Sequence, residues 1–159
     1  MALTRSGGSV ATHCYIVPGQ TSPEDALSSA SNYPASGSYI DVSGCDAVDV
    51  IIHLGAINAS DTPGFSLKCS DANNGTLDAI SASYTSHDSA ANDDDEFVTF
   101  HLETSALPSE HYYIAVTTSA VSNGSYGDIV FYLWKRSLPV SQSDSLLPSA
   151  SIHTYHGQA

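Results

Sequence analysis

The sequence predicts an all-β fold: an antiparallel β-sandwich or jelly-roll-like domain with extended N- and C-terminal arms. Three observations carry that expectation. At least six stretches of strand length alternate apolar and polar residues with a period of two. Turn-forming clusters ("SGCD", "DTPG", "NNG", "SNGS") separate them, and no amphipathic helix interrupts them. Charged residues are 13% of the chain, about half the usual share, so the polar surface rests on Ser, Thr, Asn and Gly rather than on the Glu, Lys and Arg of surface helices.

In chain order, residues 1–37 are rich in Ser, Gly, Pro and Ala and read as an N-terminal arm or loop, with a short strand at "THCYIV" and one capped helical turn at "SPEDALSSA". The β-sandwich domain is expected over 38–136. "SYIDV" sets Ile40 and Val42 inward, and "AVDVIIHL" sets Val48, Val50, Ile52 and Leu54 on one face with Asp49, Ile51 and His53 opposite. "GFSLKCS" contributes Phe65, Leu67 and Cys69. "EFVTFHLE" buries Val98, Phe100 and Leu102 and turns Phe97, Thr99 and His101 outward. "HYYIAVTT" buries Tyr112, Ile114 and Val116, and "GDIVFYLW" buries Ile129, Phe131 and Leu133. Residues 137–159 revert to a Ser- and Pro-rich extended tail. It carries Leu146, Leu147, Ile152 and Tyr155, apolar residues that gain by lying on another surface.

The charge balance excludes two partner classes. Four bases against 17 acids give a net charge of −13. Binding nucleic acid by counterion release needs a basic stripe, and anionic lipid needs the same, so neither nucleic acid nor membrane is an expected partner. Three cysteines without a C-x-x-C spacing make neither a disulfide framework nor a zinc knuckle. Buried thiols in a reducing assembly compartment are the expectation. "MALTRSGGSV" lacks the apolar core of a signal peptide, and no apolar run approaches membrane-spanning length.

Chemistry is searched for in four places. Asp93, Asp94, Asp95 and Glu96 form the best group for a metal such as calcium, which takes six to eight oxygens. The alternating EF-hand spacing is missing, however, and successive residues at a strand start point in different directions. A solvated loop that keeps a strand edge soluble is the favoured reading. The seven histidines form no zinc motif, and no G-x-S-x-G elbow or phosphate-cradling glycine loop occurs. Three N-x-S/T sequons fall at Asn58, Asn74 and Asn123, two of them Asn-Gly turns. No catalytic residue, no cofactor and no enzymatic activity are expected.

The most informative residues are apolar ones on the wrong face. Ile51, Tyr113, Val130, Tyr132 and Trp134 point away from the core side of their strands, with Lys135 and Arg136 immediately after. On adjacent strands, Ile51, Tyr113, Tyr132 and Trp134 would make an aromatic patch of the kind that marks an interface.

"SYIDVSGCDAVDVIIHLGAI", "FSLKCSDANNGT" and "HYYIAVTTSAVSNGSYGDIVFYLWKRSLPV" together resemble the capsid cement or decoration proteins of tailed bacteriophages. Asp41 to Val48 is similar to that family's opening element, with Cys45 where an aromatic is common. Lys68 to Gly75 is similar to its central turn, His111 to Val116 to its third element with histidine in place of a base, and Lys135, Arg136 and Pro139 to its closing strand. The resemblance covers residues 38–140. It implies a β-sandwich without catalysis, a homotrimer on the capsid exterior of the virion, made in the host cytoplasm, with the major capsid protein as partner. The interface it implies uses Ile51, Tyr113, Tyr132 and Trp134, the bases Lys135 and Arg136, and the tail residues Leu146 and Leu147. The alternative is a calcium- or carbohydrate-binding β-sandwich module of a fibre or adhesin, with Asp93–Glu96 for metal and Tyr132/Trp134 as a sugar platform.

Overall fold

The computed structural model describes residues 14–19, 25–27, 30–81, 87–88, 96–121 and 125–134. Asp93, Asp94, Asp95, Lys135, Arg136, Leu146, Leu147 and the tail over 137–159 lie outside them. The described chain is all β apart from one 3-10 turn at Thr104–Ala106. Its long strands are β1 (Cys14–Pro18), β5 (Ala47–Leu54), β6 (Gly64–Ser70), β9 (Phe97–Glu103), β10 (Tyr113–Ser119) and β11 (Tyr126–Trp134). Five two-residue strands supplement them: β2 (Asp25–Ala26), β3 (Asn32–Tyr33), β4 (Ile40–Asp41), β7 (Asp78–Ala79) and β8 (His87–Asp88).

Two antiparallel sheets form the sandwich. The first runs β1-β11-β5-β9, with β2 also on β11; the second runs β3-β10-β6-β7, with β4 on β10 and β8 on β6. The strand expected at "THCYIV" is β1, paired with β11 from Cys14↔Trp134 to Pro18↔Val130. Residues 14–33 thus supply strands to both sheets.

Alternation decides what each sheet buries. In β5 every second residue is buried, and Val48, Val50, Ile52 and Leu54 are fully enclosed. The same rule buries Ile129, Phe131 and Leu133 on β11 and Val98, Phe100 and Leu102 on β9. From the second sheet, Phe65, Leu67, Cys69, Ile114 and Val116 meet them in one core cluster. One expected core residue does not belong there. Tyr112 is 50% exposed, because β10 starts one residue later and Tyr112 lies in the connection before it, its carbonyl accepting from the Val42 amide at 2.8 Å. Thr118 takes the third inward place on that strand.

Local chemistry sets the connections. In "SGCD" the Asp41 carboxylate accepts from the Ser43 amide at 2.8 Å, and the Cys45 amide donates to the Val42 carbonyl at 3.0 Å. Gly44 lies at φ +75°, where a side chain is strained. At the end of β1, the Gly19 amide donates to Ile129 at 2.7 Å, and a Cβ there would come within 2.9 Å of the Phe131 ring. The 3-10 turn ends β9, where Thr104 Oγ1 donates to the Cys45 carbonyl at 2.7 Å.

Phe131 is fully buried at the middle of β11. Truncating it leaves a cavity between the sheets, and Phe131→Ala is expected to cost roughly 3–5 kcal/mol. Urea denaturation checks this, with a fall in midpoint at unchanged slope as the expected result.

Candidate functional site

The register places four rows of side chains on the outer face of the first sheet. Trp134, Ala47 and Glu103 form the row at one end, in register with the fully buried Cys14; Ile16, Tyr132, Asp49 and His101 form the next. Pro18, Val130, Ile51 and Thr99 follow, then Asp128, His53 and Phe97. Apolar groups thus gather on β1, β11 and β5, while His101 and Glu103 line β9. Among the described residues Lys68 is the sole Lys or Arg, and it lies on the other sheet. The face therefore offers apolar surface bordered by acids and imidazoles.

Of the four apolar interface residues expected from sequence, three come together. Ile51 lies directly across from Val130 and diagonal to Tyr132, with Trp134 two residues further along β11. All three are half-buried rather than fully exposed. Tyr113 is not with them. It belongs to β10 and pairs with Ser70 and Asp41 on the opposite side of the sandwich. Period-2 alternation tells inward from outward on a strand, but both sheets have an outward face, and pairing partners decide which one a residue joins.

A polar cluster, missed as a cluster in the sequence, holds this face together. Trp134 Nε1 donates to Asp49 Oδ2 at 2.6 Å, and His101 Nδ1 bonds the other oxygen, Oδ1, at 2.6 Å. His101 Nε2 lies 3.4 Å from Glu103 Oε1. One carboxylate on the central strand thus ties the indole of β11 to the imidazole of β9. The sequence signal was the outward placement of Asp49 and His101; the cross-strand pairing that joins them was not legible. Hydrogen bonds to Asp49 first and Glu103 second favour the imidazolium, raising the His101 pKa above its ordinary 6.5. His53, also outward, stacks on Phe97 with ring centroids 4.6 Å apart.

The other titratable features are structural in their settings. His111 Nδ1 bonds the Ser109 carbonyl at 2.9 Å and Nε2 lies 3.3 Å from Asp78 Oδ2, and its pKa is raised by the Ser109 bond first. Asp61 is a buried carboxylate that the sequence did not single out. It accepts from Ser125 Oγ at 2.5 Å, and that hydroxyl in turn accepts from the Asn58 amide at 3.0 Å. This joins the "INASD" turn to the start of β11. Asn58, read as a sequon, here folds its side chain onto the Ser60 amide and hydroxyl, at 3.0 and 2.8 Å.

For a metal, Glu96 is the one member of the acid run among the described residues; it is exposed, and its carbonyl accepts from the Leu54 amide at 2.8 Å. Among the described residues no group of three or more His, Cys, Asp or Glu is placed to hold an ion. None of the three cysteines forms a disulfide. Burial first, then the Asp49 charge, pushes the Cys14 thiol up to about 12, and burial raises that of Cys69.

Two outcomes are expected. The bridged imidazolium stabilises the fold fully below the ordinary histidine pKa of 6.5, and this contribution is lost as pH rises through the higher folded value. His101 is exposed, so the effect on stability is roughly a few tenths of a kcal/mol, and the sharper readout is spectroscopic. Trp134 is the single tryptophan, so its emission should follow the His101 titration seen by NMR, and Asp49→Asn should lower that titration midpoint and shift the emission. An unchanged midpoint in the variant would remove Asp49 as the cause. For the thiols, a disulfide reagent at mildly alkaline pH should label half-buried Cys45 first, and reach Cys14 and Cys69 only on unfolding. Compared with family models, with curated proteins and with solved structures, the chain matches none.

Proposed function

We propose that the chain is a structural virion protein, a capsid cement or decoration protein that binds the outer surface of the major capsid protein shell and stabilises the phage head. The observation that carries this reading is the outer face of the first sheet, where Ile16, Ile51, Val130, Tyr132 and Trp134 lie on three adjacent strands. A rigid sheet holds these groups in place before binding, so little side-chain entropy is lost when a partner covers them. Lys135 and Arg136 follow Trp134 directly in the chain and are the cations proposed to meet an acidic shell. The resemblance of residues 38–140 to cement proteins supports the same partner, and the net charge of −13 keeps such a protein apart from packaged DNA.

In the mechanism this suggests, homotrimers sit on the shell exterior with the Ile51/Tyr132/Trp134 face against capsid subunits. Apolar burial across subunit boundaries then resists the outward pressure of the genome. Tyr113, on the opposite sheet, is not part of that contact and is left for solvent or a neighbouring copy.

The test mixes purified protein with expanded, undecorated shells of the phage that carries the gene. Saturable co-sedimentation and a higher temperature of DNA release are expected. Tyr132→Ala should weaken binding by about 30-fold or more, as truncating a central aromatic anchor does, with the free protein's melting temperature nearly unchanged. Failure of the intact protein to sediment with the shells would overturn the proposal.

A further inference from the structure

The turn after β6 carries a chemically labile pair. β6 ends at Ser70 and β7 begins at Asp78. Between them the Gly75 amide donates to the Ala72 carbonyl at 3.1 Å and closes a β-turn with Asn73 and Asn74 at its centre. Neither asparagine takes a positive φ, so "NNG" is not the hairpin turn in which asparagine and glycine share the centre with positive φ. Close approach is what requires glycine at position 75. A Cβ there would lie 2.5 Å from Ser70 Oγ and 3.0 Å from Asp71 Oδ1. Ser70 is fully buried, and its Oγ also accepts from the Ala72 amide at 3.3 Å. Asn74 is exposed.

We propose that Asn74 is a modification site, where the side-chain nitrogen is lost as ammonia by attack of the chain's own Gly75 nitrogen, at a rate set by opening of this turn. The Gly75 nitrogen yields its proton to water and bonds to the Asn74 side-chain carbonyl carbon. The side-chain nitrogen takes up a proton and leaves as ammonia, and the cyclic imide then takes up one water. Opening at the side-chain carbonyl leaves aspartate; opening at the main-chain carbonyl leaves isoaspartate. Water is the only co-reactant. A following glycine favours the attack because it has no Cβ to block its nitrogen. Asn32, Asn58 and Asn73 precede Tyr, Ala and Asn, whose side chains hinder the same step.

The fold holds this reaction back without preventing it. In the closed turn the Gly75 N–H points at the Ala72 carbonyl and must leave it before the nitrogen can reach the Asn74 side chain. The Asn73 carbonyl accepts from the Gly37 amide at 3.1 Å, and the Ser70 hydroxyl holds the Ala72 amide; both contacts resist that rotation. Opening one turn between strands costs far less than unfolding the sandwich. The products do not restore the turn. Isoaspartate routes the main chain through its β-carbon, so Gly75 cannot both reach Ala72 and fit against Ser70. Either product adds a carboxylate near Asp71 to a chain of net charge −13. This inference is independent of the proposed function, since the turn joins strands of the second sheet.

Peptide mapping by mass spectrometry tests it, after incubating the full chain at mildly alkaline pH, folded in buffer and unfolded in guanidinium chloride. Asn74 should convert in both, about tenfold more slowly in the folded protein. The map separates this position from Asn123–Gly124, which lies partly outside the described residues. Ser70→Ala removes the acceptor of the Ala72 amide and should bring the folded rate to within about twofold of the unfolded one, with circular dichroism showing the sandwich intact. Asn74→Gln, whose longer side chain closes the ring far more slowly, should stop ammonia loss at this position. A folded rate more than about 100-fold below the unfolded one would overturn the site by making the closed turn a block. Equal rates in the folded and unfolded chain, or no acceleration by Ser70→Ala, would overturn control by the turn.

Discussion

Burial of the inward rows of β5 and β11 is the constraint on which the rest of the molecule depends. Val48, Val50, Ile52 and Leu54 stand beside Ile129, Phe131 and Leu133 in one ladder, and all are enclosed against Phe65, Leu67, Ile114 and Val116 of the second sheet. Because side chains alternate strictly along a strand, fixing this inner set also fixes the outer one. Tyr132 and Trp134 cannot move to the core without turning Phe131 and Leu133 out of it. The apolar outer face is thus a consequence of the core register, at positions where water-facing residues would have been neutral to the fold.

That face is organised by a single carboxylate. Asp49 lies mid-sheet on β5 and spends both oxygens on neighbours, one on the Trp134 indole and one on the His101 imidazole. The indole N–H is thereby satisfied while the side chain stays half-buried, an arrangement that suits a surface with one wet and one apolar side. The polar half of the cluster stands toward β9 and the apolar half toward β1, which gives the face a direction. A partner laid across it would meet aromatic surface first and acids at the border.

The two sheets treat their outer faces differently. On the second, Asp41, Tyr113, Lys68, Thr117 and Asn32 mix in a largely polar surface, and Thr117 Oγ1 donates to Asn32 at 3.0 Å. That surface is suited to water. The first sheet carries the apolar face, and among the described residues it ends at the seven-residue strand β9.

Read without a structure, the chain already shows its long strands and most of their inward residues. Alternation in "AVDVIIHL", "EFVTFHLE" and "GDIVFYLW" needs no partner to be read, because the period of two belongs to the strand itself. It went astray at Tyr112, where parity was right but the strand had not yet begun, since the start of a strand is set by its ladder and not by its own residues. Ile51, Tyr132 and Trp134 were legible as outward residues, and the register of β5 with β11 sets them on one face. Only the packed strands show that Tyr113 faces the other way, that Asp49 joins Trp134 to His101, and that Asp61 is buried against Ser125. Each of these depends on which strands become neighbours across 52 to 85 residues of chain or on how a loop folds back. Pairing of that range is chosen by the collective burial of the core, a quantity that no local stretch of sequence contains.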